Sequence, residues 1–381
     1  MLKTTIAGIE LDCCVYNASG PRTGSIEALE KIASSRAGAV LSKSATLVRQ
    51  DGNELPRFVN KIDLGSFCQG SMNSEGLPNL GIDYYISTDT TSKIKKYDKP
   101  YIVSLSGKDL EENLEMLGRV MLVEDIAAVE LNLACPNVPG KPIVAYDFQK
   151  MEEWINAICA HPNFHNKALG VKLAPYFDAP HFEEAASIIA KYPIKFVVTI
   201  NTIGNALMVD TDNEMPQMNA KSGFGGLGGG FVKPTALANV NSVVRLLHSK
   251  GRSDIDVIGV GGVASGRDVF DMILVGAKAV QIGTCHWIEG ARCFDRISQE
   301  LEHLMLEKGY SCIDDFRGKL KPFSKELATK TISKSTSPVQ PAISKYNTFQ
   351  THLPYIIIHT LLAFLCLSVA YCMKNNIEPF F

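Results

Sequence analysis

The stretch that decides the fold is VIGVGGVASGRDVFDMILVGAKAVQIGT, residues 257–284. It begins with a short apolar run, passes through two glycines into an amphipathic segment that begins near Ser265, and ends in a second apolar run. Buried parallel strands have this continuous apolar character, and an amphipathic segment between two of them is typical of a crossover helix. The stretch therefore predicts a strand–helix–strand unit of a parallel sheet.

The same alternation extends outward over the chain to about Phe323. Strands are predicted at 15–18, 39–41, 101–105, 128–133, 170–173, 196–200, 257–260 and 279–282. Helices are predicted at 109–121, 181–190, 234–247, 265–275 and 292–308. Eight strands with helical crossovers predict an α/β fold, a (β/α)8 TIM barrel, which takes roughly 250 residues or more in one domain. A doubly wound open sheet is the alternative.

Composition excludes several classes of protein. The 381 residues include 38 basic and 40 acidic side chains, a formal net charge of −2, so no general attraction to nucleic acid is expected. The ten cysteines are scattered and form no C-x-x-C pair, and neither a zinc ribbon, an iron–sulfur cluster nor another metal site is expected. No apolar signal segment follows Met1, and we expect a reducing, cytoplasmic compartment.

The carboxyl-terminal part of the chain differs from the rest. Residues 353–373 are apolar and uncharged if His359 is neutral, which is long enough for a transmembrane helix. The stretch before them is rich in Ser, Thr, Lys and Pro, as flexible linkers are. We predict a catalytic domain at 1–323, a linker at 324–352, a tail-anchor helix at 353–373 and a short tail at 374–381. A helix buried on the barrel or in an oligomer contact is the alternative.

Polar residues and glycines lie at the ends of the predicted strands or just after them, where a barrel enzyme carries its active site. They are Ser19, Lys43, Ser44, Asn132, Cys135, Asn137, Lys172, Asn201, Thr202, Gly261, Gly262, Gly283 and Thr284. Turn formation would explain the Gly, Asn and Ser residues. It does not explain two lysines, because an unpaired buried lysine is costly. Cys135 follows its strand within a loop, where it is either an inert core residue or a general base.

Glycines indicate a phosphate-bearing cofactor. Gly261-Gly262 and Gly283-Thr284 expose backbone amides after the seventh and eighth strands, and a helix begins shortly after the first pair. Barrel enzymes commonly bind phosphate at this point. The segment GFGGLGGG, 223–230, holds six glycines in eight residues. We predict a loop whose backbone approaches a ligand closely, with a flexible linker as the alternative.

These residues also carry a family likeness. The motifs NASG (17–20), SKSAT (42–46), NSEGLPN (73–79), ELNLACPNVPGKP (130–142), GVKLAPYFD (170–178), INTIGN (200–205), GFGGLGG (223–229), KPTALANV (233–240) and QIGT (281–284) occur in this order. The set closely resembles the class 1A dihydroorotate dehydrogenases, which are fumarate-linked and FMN-dependent, over about residues 1–323. The resemblance implies oxidation of dihydroorotate to orotate in pyrimidine biosynthesis, reduction of fumarate to succinate at the same site, and a homodimer. A related enzyme that uses quinone or NAD, and a membrane-tethered, non-catalytic flavin-binding protein, are the alternatives.

The resemblance also implies roles for individual residues. Cys135 matches the base that removes a proton from C5 of the substrate. Residues that match FMN contacts are Ser19, Lys43, Ser44, Asn132, Lys172, Ile200, Gly229, Gly261, Gly262, Gly283 and Thr284. Residues that match substrate contacts are Lys43, Asn73, Ser74, Glu75, Gly76, Leu77, Asn132, Asn137, Asn201 and Thr202. Glu75 departs from the methionine usual in the family, and we expect it to repel an anionic substrate unless its side chain turns away or only its backbone makes the contact.

Overall fold

Eight parallel strands form the central sheet of the computed structural model, which describes residues 1–63, 69–135 and 143–325. The strands are β1 (Val15–Asn17), β2 (Val40–Leu41), β3 (Tyr101–Leu105), β4 (Ala128–Asn132), β5 (Ala168–Lys172), β6 (Phe196–Thr199), β7 (Asp256–Val260) and β8 (Ala279–Ile282). Their order in the sheet is β1-β8-β7-β6-β5-β4-β3-β2, and every neighbouring pair is parallel. The predicted barrel is confirmed.

One side chain joins the two edge strands of this sheet. The amide of Asn17, in β1, donates to the backbone oxygen of Leu41, in β2, at 2.7 Å. The same amide accepts a hydrogen bond from the Leu41 backbone N–H at 2.9 Å. Because a side-chain amide carries both a donor and an acceptor, it replaces the missing ladder pair between β1 and β2. The barrel is therefore closed at this seam by a side chain.

Helices follow the strands, as crossover connections require. In the described residues the α-helices are Ile26–Ala33, Ile82–Ile86, Thr88–Lys95, Leu110–Val120, Phe148–Cys159, Ala179–Lys191, Lys233–Ser249, Gly266–Leu274, Thr284–Glu289 and Arg292–Lys308. Short 3-10 helices are Pro21–Thr23, Val144–Tyr146, Phe164–Asn166, Ala220–Gly223, Gly230–Val232 and Ile313–Asp315. Asp109, Asp178 and Ser265 cap three of the predicted helices by accepting a backbone N–H three residues later, which fixes where those helices begin.

A four-stranded antiparallel sheet lies outside the barrel strands. Its strands, in spatial order, are Ile203–Leu207, Phe224–Gly229, Gln69–Asn73 and Phe58–Asp63. The prediction that the glycine-rich segment forms a loop is therefore wrong, because most of the segment forms a strand. A Cβ at Gly225 would lie 2.6 Å from the backbone oxygen of Asn73, so only glycine allows this close strand pairing. The other strands of the described residues form two hairpins, Thr4–Ile6 with Ile9–Leu11 and Val209–Asp210 with Met215–Pro216.

Met1–Leu320 form one compact unit, and a second unit begins at Lys321. Among the described residues, no helix combines the length and apolar character needed to span a membrane. The predicted tail-anchor helix at 353–373, the tail at 374–381 and nearly all of the predicted linker at 324–352 lie outside the described residues, as does Asn137.

Candidate active site

A cleft opens at the carboxyl ends of the barrel strands, and its empty space is about 1380 Å³, counted out to the solvent at its mouth. Most of the predicted site residues line it: Ser19, Lys43, Ser44, Asn73, Glu75, Gly76, Leu77, Asn132, Cys135, Lys172, Ile200, Asn201, Thr202, Gly229, Gly261, Gly262, Gly283 and Thr284. Ser74 does not line the cleft. It is fully buried, and its backbone amide donates to the Arg57 oxygen at 2.8 Å.

One end of the cleft is built from backbone. Gly261 and Gly262 follow β7 with φ of +128° and +73°. A Cβ at Gly262 would lie 2.5 Å from the Cβ of Lys233 and 2.9 Å from its backbone nitrogen, so glycine is required there. After β8, Thr284 begins a helix whose first amides lack acceptors within the helix, and its hydroxyl lies 2.7 Å from that of Ser71. Such an end, rich in backbone amides and hydroxyls, suits a phosphate group.

A chain of hydroxyl and amide groups crosses the middle of the cleft. The Ser44 hydroxyl lies 3.0 Å from that of Ser19 and 2.9 Å from that of Ser104. Asn132 donates to the Ser44 hydroxyl at 3.3 Å, and Asn201 donates to the Asn132 oxygen at 3.3 Å. These bonds link the ends of β1, β2, β4 and β6 and fix the orientation of both amides. The cleft therefore offers oriented donors and acceptors to a planar polar ligand.

Lys172 ends β5 and is 5% exposed. Burial lowers the pKa of Lys172, and the nearby carboxylate of Glu130 opposes that change. Burial likewise raises the pKa of Glu130, and Lys172 opposes it. Each charge therefore makes the other tolerable inside the barrel, as buried charges require. In its protonated form Lys172 is a cation at the floor of the cleft, where it can stabilise negative charge on a ligand.

Lys43 and Glu75 form an ion pair in the wall of the cleft. The Lys43 Nζ lies 2.7 Å from Oε2 of Glu75, and the two side chains are 8% and 13% exposed. The Glu75 side chain therefore points into the cleft and towards the cation. The sequence predicts that Glu75 repels an anionic ligand, and in the structure the negative charge of Glu75 lies against the positive charge of Lys43.

Hydrogen bonds from neighbouring residues hold the loop that carries Glu75. The Asn53 backbone N–H donates to the Glu75 backbone oxygen at 2.8 Å, and the Asn53 amide donates to the Ser74 oxygen at 2.7 Å. The Gln50 amide donates to the Gly76 oxygen at 2.5 Å. Asn79 exchanges backbone hydrogen bonds with Gln50 at 2.9 and 3.0 Å. The backbone around Glu75 is thus held in one place, and its carboxylate stays close to Lys43.

Cys135 is half-buried and lies three residues after the end of β4. It lines the main cleft and also a smaller neighbouring pocket, which Leu77 and Asn132 share. The Asn132 oxygen accepts the backbone N–H of Ala134 at 3.1 Å, which fixes the chain just before the cysteine. Cys135 lies with Asn132 and Asn201 in the lining of the cleft, where a thiol can exchange a proton with a ligand.

Several residues in or beneath the cleft were missed from the sequence. Ser71, Phe58 and Trp287 line it, and the rings of Phe58 and Trp287 lie 4.5 Å apart between centroids. These three contribute through tertiary folding, and no local pattern marks them. Glu130 did carry a signal, because a charged residue within an apolar strand is costly unless it has a partner.

Comparison with known proteins gives a consistent result. The family model described as dihydroorotate dehydrogenase matches residues 1–305. The chain is 44% identical over 322 residues to dihydroorotate dehydrogenase A (fumarate) of Lactococcus lactis, covering 84% of this chain and 99% of that protein. It is 46% identical over 305 residues to dihydroorotate dehydrogenase (fumarate) of Saccharomyces mikatae, covering 80% of this chain and 93% of that protein.

A solved structure has the same fold. The crystal structure of DHODH from Eimeria tenella in complex with ferulenol superposes with a TM-score of 0.65 at 18% sequence identity. The match covers 83% of this chain and 88% of that chain.

Proposed function

We propose that this chain, which belongs to the dihydroorotate dehydrogenase family, oxidises dihydroorotate to orotate. Fumarate is the proposed electron acceptor, and FMN is the proposed bound cofactor. Family membership makes the chain an oxidoreductase. One observation supports the proposed reaction and cofactor. A single cleft is lined by Cys135, by Lys172, by the amides of Asn132 and Asn201, and at one end by the backbone of several glycines.

The cleft fits FMN at both of its ends. The backbone of Gly261, Gly262, Gly283 and Thr284 would hold the phosphate, since it offers amides next to a helix amino terminus. Lys172, whose charged form the Glu130 carboxylate favours, would stand at the end that gains negative charge on reduction. When bound, FMN supplies the acceptor for hydride from C6 of dihydroorotate and the donor of hydride to fumarate.

The remaining roles fall to side chains of this chain. Asn73, Asn132 and Asn201 would bind the N–H and C=O groups of the pyrimidine ring, because an amide both donates and accepts. Cys135 would remove the C5 proton as general base and return a proton to fumarate in the second half of the cycle. Lys43 would attract the carboxylate of either substrate. We also propose substrate contacts for Gly76, Leu77 and Thr202, which line the cleft, and for Asn137.

Spectroscopy and turnover test this proposal on the purified full chain. We expect yellow protein that dihydroorotate bleaches under anaerobic conditions and that fumarate, added afterwards, reoxidises. A soluble quinone and NAD, offered in place of fumarate, should reoxidise it far more slowly. Protein that binds FMN without being bleached would indicate a non-catalytic flavin-binding protein, and faster reoxidation by quinone or NAD would overturn the proposed acceptor.

Two further parts of the proposal concern assembly. We propose a homodimer, by analogy with the family, and light scattering of the full chain should give twice the mass of 41.6 kDa. We also propose that residues 353–373 anchor the enzyme to a membrane, since they are apolar and about the length of a bilayer-spanning helix. In cell fractionation the full chain should enter the membrane fraction and a chain ending at residue 323 should not, whereas equal partition of both chains would overturn the anchor.

A further inference from the structure

The Lys43–Glu75 pair stands in the wall of the cleft where an anionic ligand is expected. Its charged atoms are 2.7 Å apart, and both side chains are nearly buried. The loop of Glu75 is fixed by the hydrogen bonds from Asn53 and Gln50. An exposed, mobile ion pair contributes little, but this one is fixed and largely shielded from solvent. The site thus already holds one carboxylate against Lys43 before any ligand binds.

The charged side chains that line the cleft are Lys43, Glu75, Lys172 and Glu289, and each has an opposite charge nearby. Lys43 faces Glu75, Lys172 is influenced by the buried Glu130, and Glu289 pairs with Arg296. A ligand carboxylate that approaches Lys43 therefore meets a cation whose charge is already compensated. It must displace the Glu75 carboxylate from Lys43 or share the cation with it, and both oppose binding because like charges in a shielded site repel.

We propose that Glu75 is a specificity-determining residue, a resident counter-ion of Lys43 that weakens the binding of every carboxylate ligand. The proposal rests on the proposed function, since it assumes that dihydroorotate, orotate and fumarate bind in this cleft. A simple carboxylate has only its charge with which to displace Glu75. A ligand that also bonds to the asparagine amides has additional binding energy, so the pair selects for the pyrimidine ring over small anions.

The test is equilibrium binding of ligands to the FMN-loaded full chain, measured by calorimetry and by the change in the flavin absorption band. The ligands are orotate, which carries one carboxylate, its uncharged methyl ester, and succinate, which carries two. Glu75→Gln keeps the shape of the side chain and removes its charge. We expect the Kd of orotate to fall about tenfold, a change of about 1.4 kcal/mol. The Kd of succinate should fall further and that of the methyl ester less than twofold.

Two controls separate the pair from other effects. Glu54→Gln removes the same charge from an exposed position that does not line the cleft, and should change each Kd less than twofold. Lys43→Met removes the cation, and in that background Glu75→Gln should change the Kd of orotate by a different factor than in the wild type, because the two charges act as a coupled pair. Glu75→Met provides a second neutral variant should the glutamine variant fold poorly.

Three outcomes would overturn the proposal. Weaker orotate binding in both neutral variants would mean that Glu75 holds Lys43 in a productive position. Equal strengthening for orotate and its methyl ester would indicate relief of crowding and not of charge. An unchanged Kd would mean that the pair exerts no influence on ligands. Wild-type protein that binds FMN but no orotate would remove the proposed function itself, which is a different result from any of these.

Discussion

Gln281, in β8, donates a hydrogen bond of 2.7 Å to the carboxylate of Glu130, in β4, and both side chains are fully buried. Gln281 also lies 3.2 Å from the hydroxyl of Tyr16, so three strands meet in one polar cluster inside the barrel. Glu130 in turn raises the pKa of Lys172 against the effect of burial. At the floor of the cleft, an amide therefore orients an acid, and the acid favours the charged form of a lysine.

Replacing Glu130 should move the pH dependence of cofactor binding. In Glu130→Gln the neighbouring anion is lost, so the pKa of Lys172 falls further and the lysine loses its charge at lower pH. We expect the pH above which FMN affinity declines to shift downward, as measured by flavin fluorescence across a pH series. Unfolding in urea should also show a loss of about 1–3 kcal/mol, because Gln281 loses its charged acceptor and Lys172 loses a compensating charge.

A surface pair provides the control for Glu130. Glu152 lies 2.6 Å from Lys191, with the two side chains 36% and 55% exposed. Glu152→Gln should cost at most about 1 kcal/mol and leave FMN binding unchanged. An FMN pH profile in Glu130→Gln identical to that of the wild type would show that Glu130 does not set the charge of Lys172.

Two glycines of the same cleft should respond differently to alanine. A Cβ at Gly283 would meet only the Cβ of Ala18, at 3.9 Å, so the protein itself has room for it. We expect Gly283→Ala to lower FMN occupancy with little change in urea stability, because the methyl group stands where the phosphate is proposed to bind. Gly262→Ala should lower both, by about 1–3 kcal/mol in stability, since its φ of +73° and the collision with Lys233 both oppose a side chain.

Gly251→Ala isolates the backbone contribution in that comparison. Its φ is +75°, and no atom lies within 4 Å of the added Cβ. It should show the strain of a positive φ without any collision and without loss of FMN, so the difference from Gly262→Ala measures the contact with Lys233. Full retention of FMN by Gly283→Ala, measured by absorbance of the purified protein, would argue against phosphate binding at this position.

The barrel could be predicted because its signal is local. Each parallel strand is a short apolar run, each helix shows its own periodicity, and the polar residues at strand ends converge once the sheet closes. The strand in the glycine-rich segment could not be predicted, because glycine is disfavoured in strands. Glycine occurs there because Asn73 approaches the backbone of Gly225 too closely for a side chain. The contact of Lys43 with Glu75 joins residues 32 positions apart, and no spacing rule predicts such a pair.

Replacing Cys135 should slow proton removal at C5. A hydroxyl is a much weaker acid than a thiol, so Cys135→Ser should slow reduction of the flavin by dihydroorotate by about 10²–10⁴-fold at neutral pH, measured by stopped-flow absorbance. The slowed step should recover partly as the pH rises. Orotate binding should change little, because the change affects a proton transfer and not the amide contacts.

Cys159 provides a matched control for that substitution. It is half-buried at the end of the helix Phe148–Cys159, does not line the cleft, and burial raises its pKa to about 12. Cys159→Ser should leave flavin reduction at the wild-type rate. If Cys135→Ser also keeps that rate, the base is another group.

Acid should destabilise the protein through His286. This residue lies in the helix Thr284–Glu289, is 5% exposed and packs against Phe294 with 5.1 Å between ring centroids. Burial, aided by the charge of Arg22, lowers its pKa from 6.5 to about 4. The unfolded chain therefore takes up a proton below about pH 6.5, whereas the folded chain does so only near pH 4. The stability that depends on neutral His286 is complete above pH 6.5 and is lost as the pH falls towards 4.

Urea unfolding of the full chain at several pH values between 7.5 and 4.5 measures this loss. Wild-type protein should lose about 2–3 kcal/mol more than His286→Leu over that range, because about 2 of the roughly 2.5 pH units between the two pKa values fall within it, at about 1.4 kcal/mol each. Phe294→Leu loosens the same packing but keeps the histidine, and should lower stability while retaining most of the wild-type slope. Parallel pH profiles for the wild type and His286→Leu would show that the proton uptake of His286 does not differ between the folded and unfolded states.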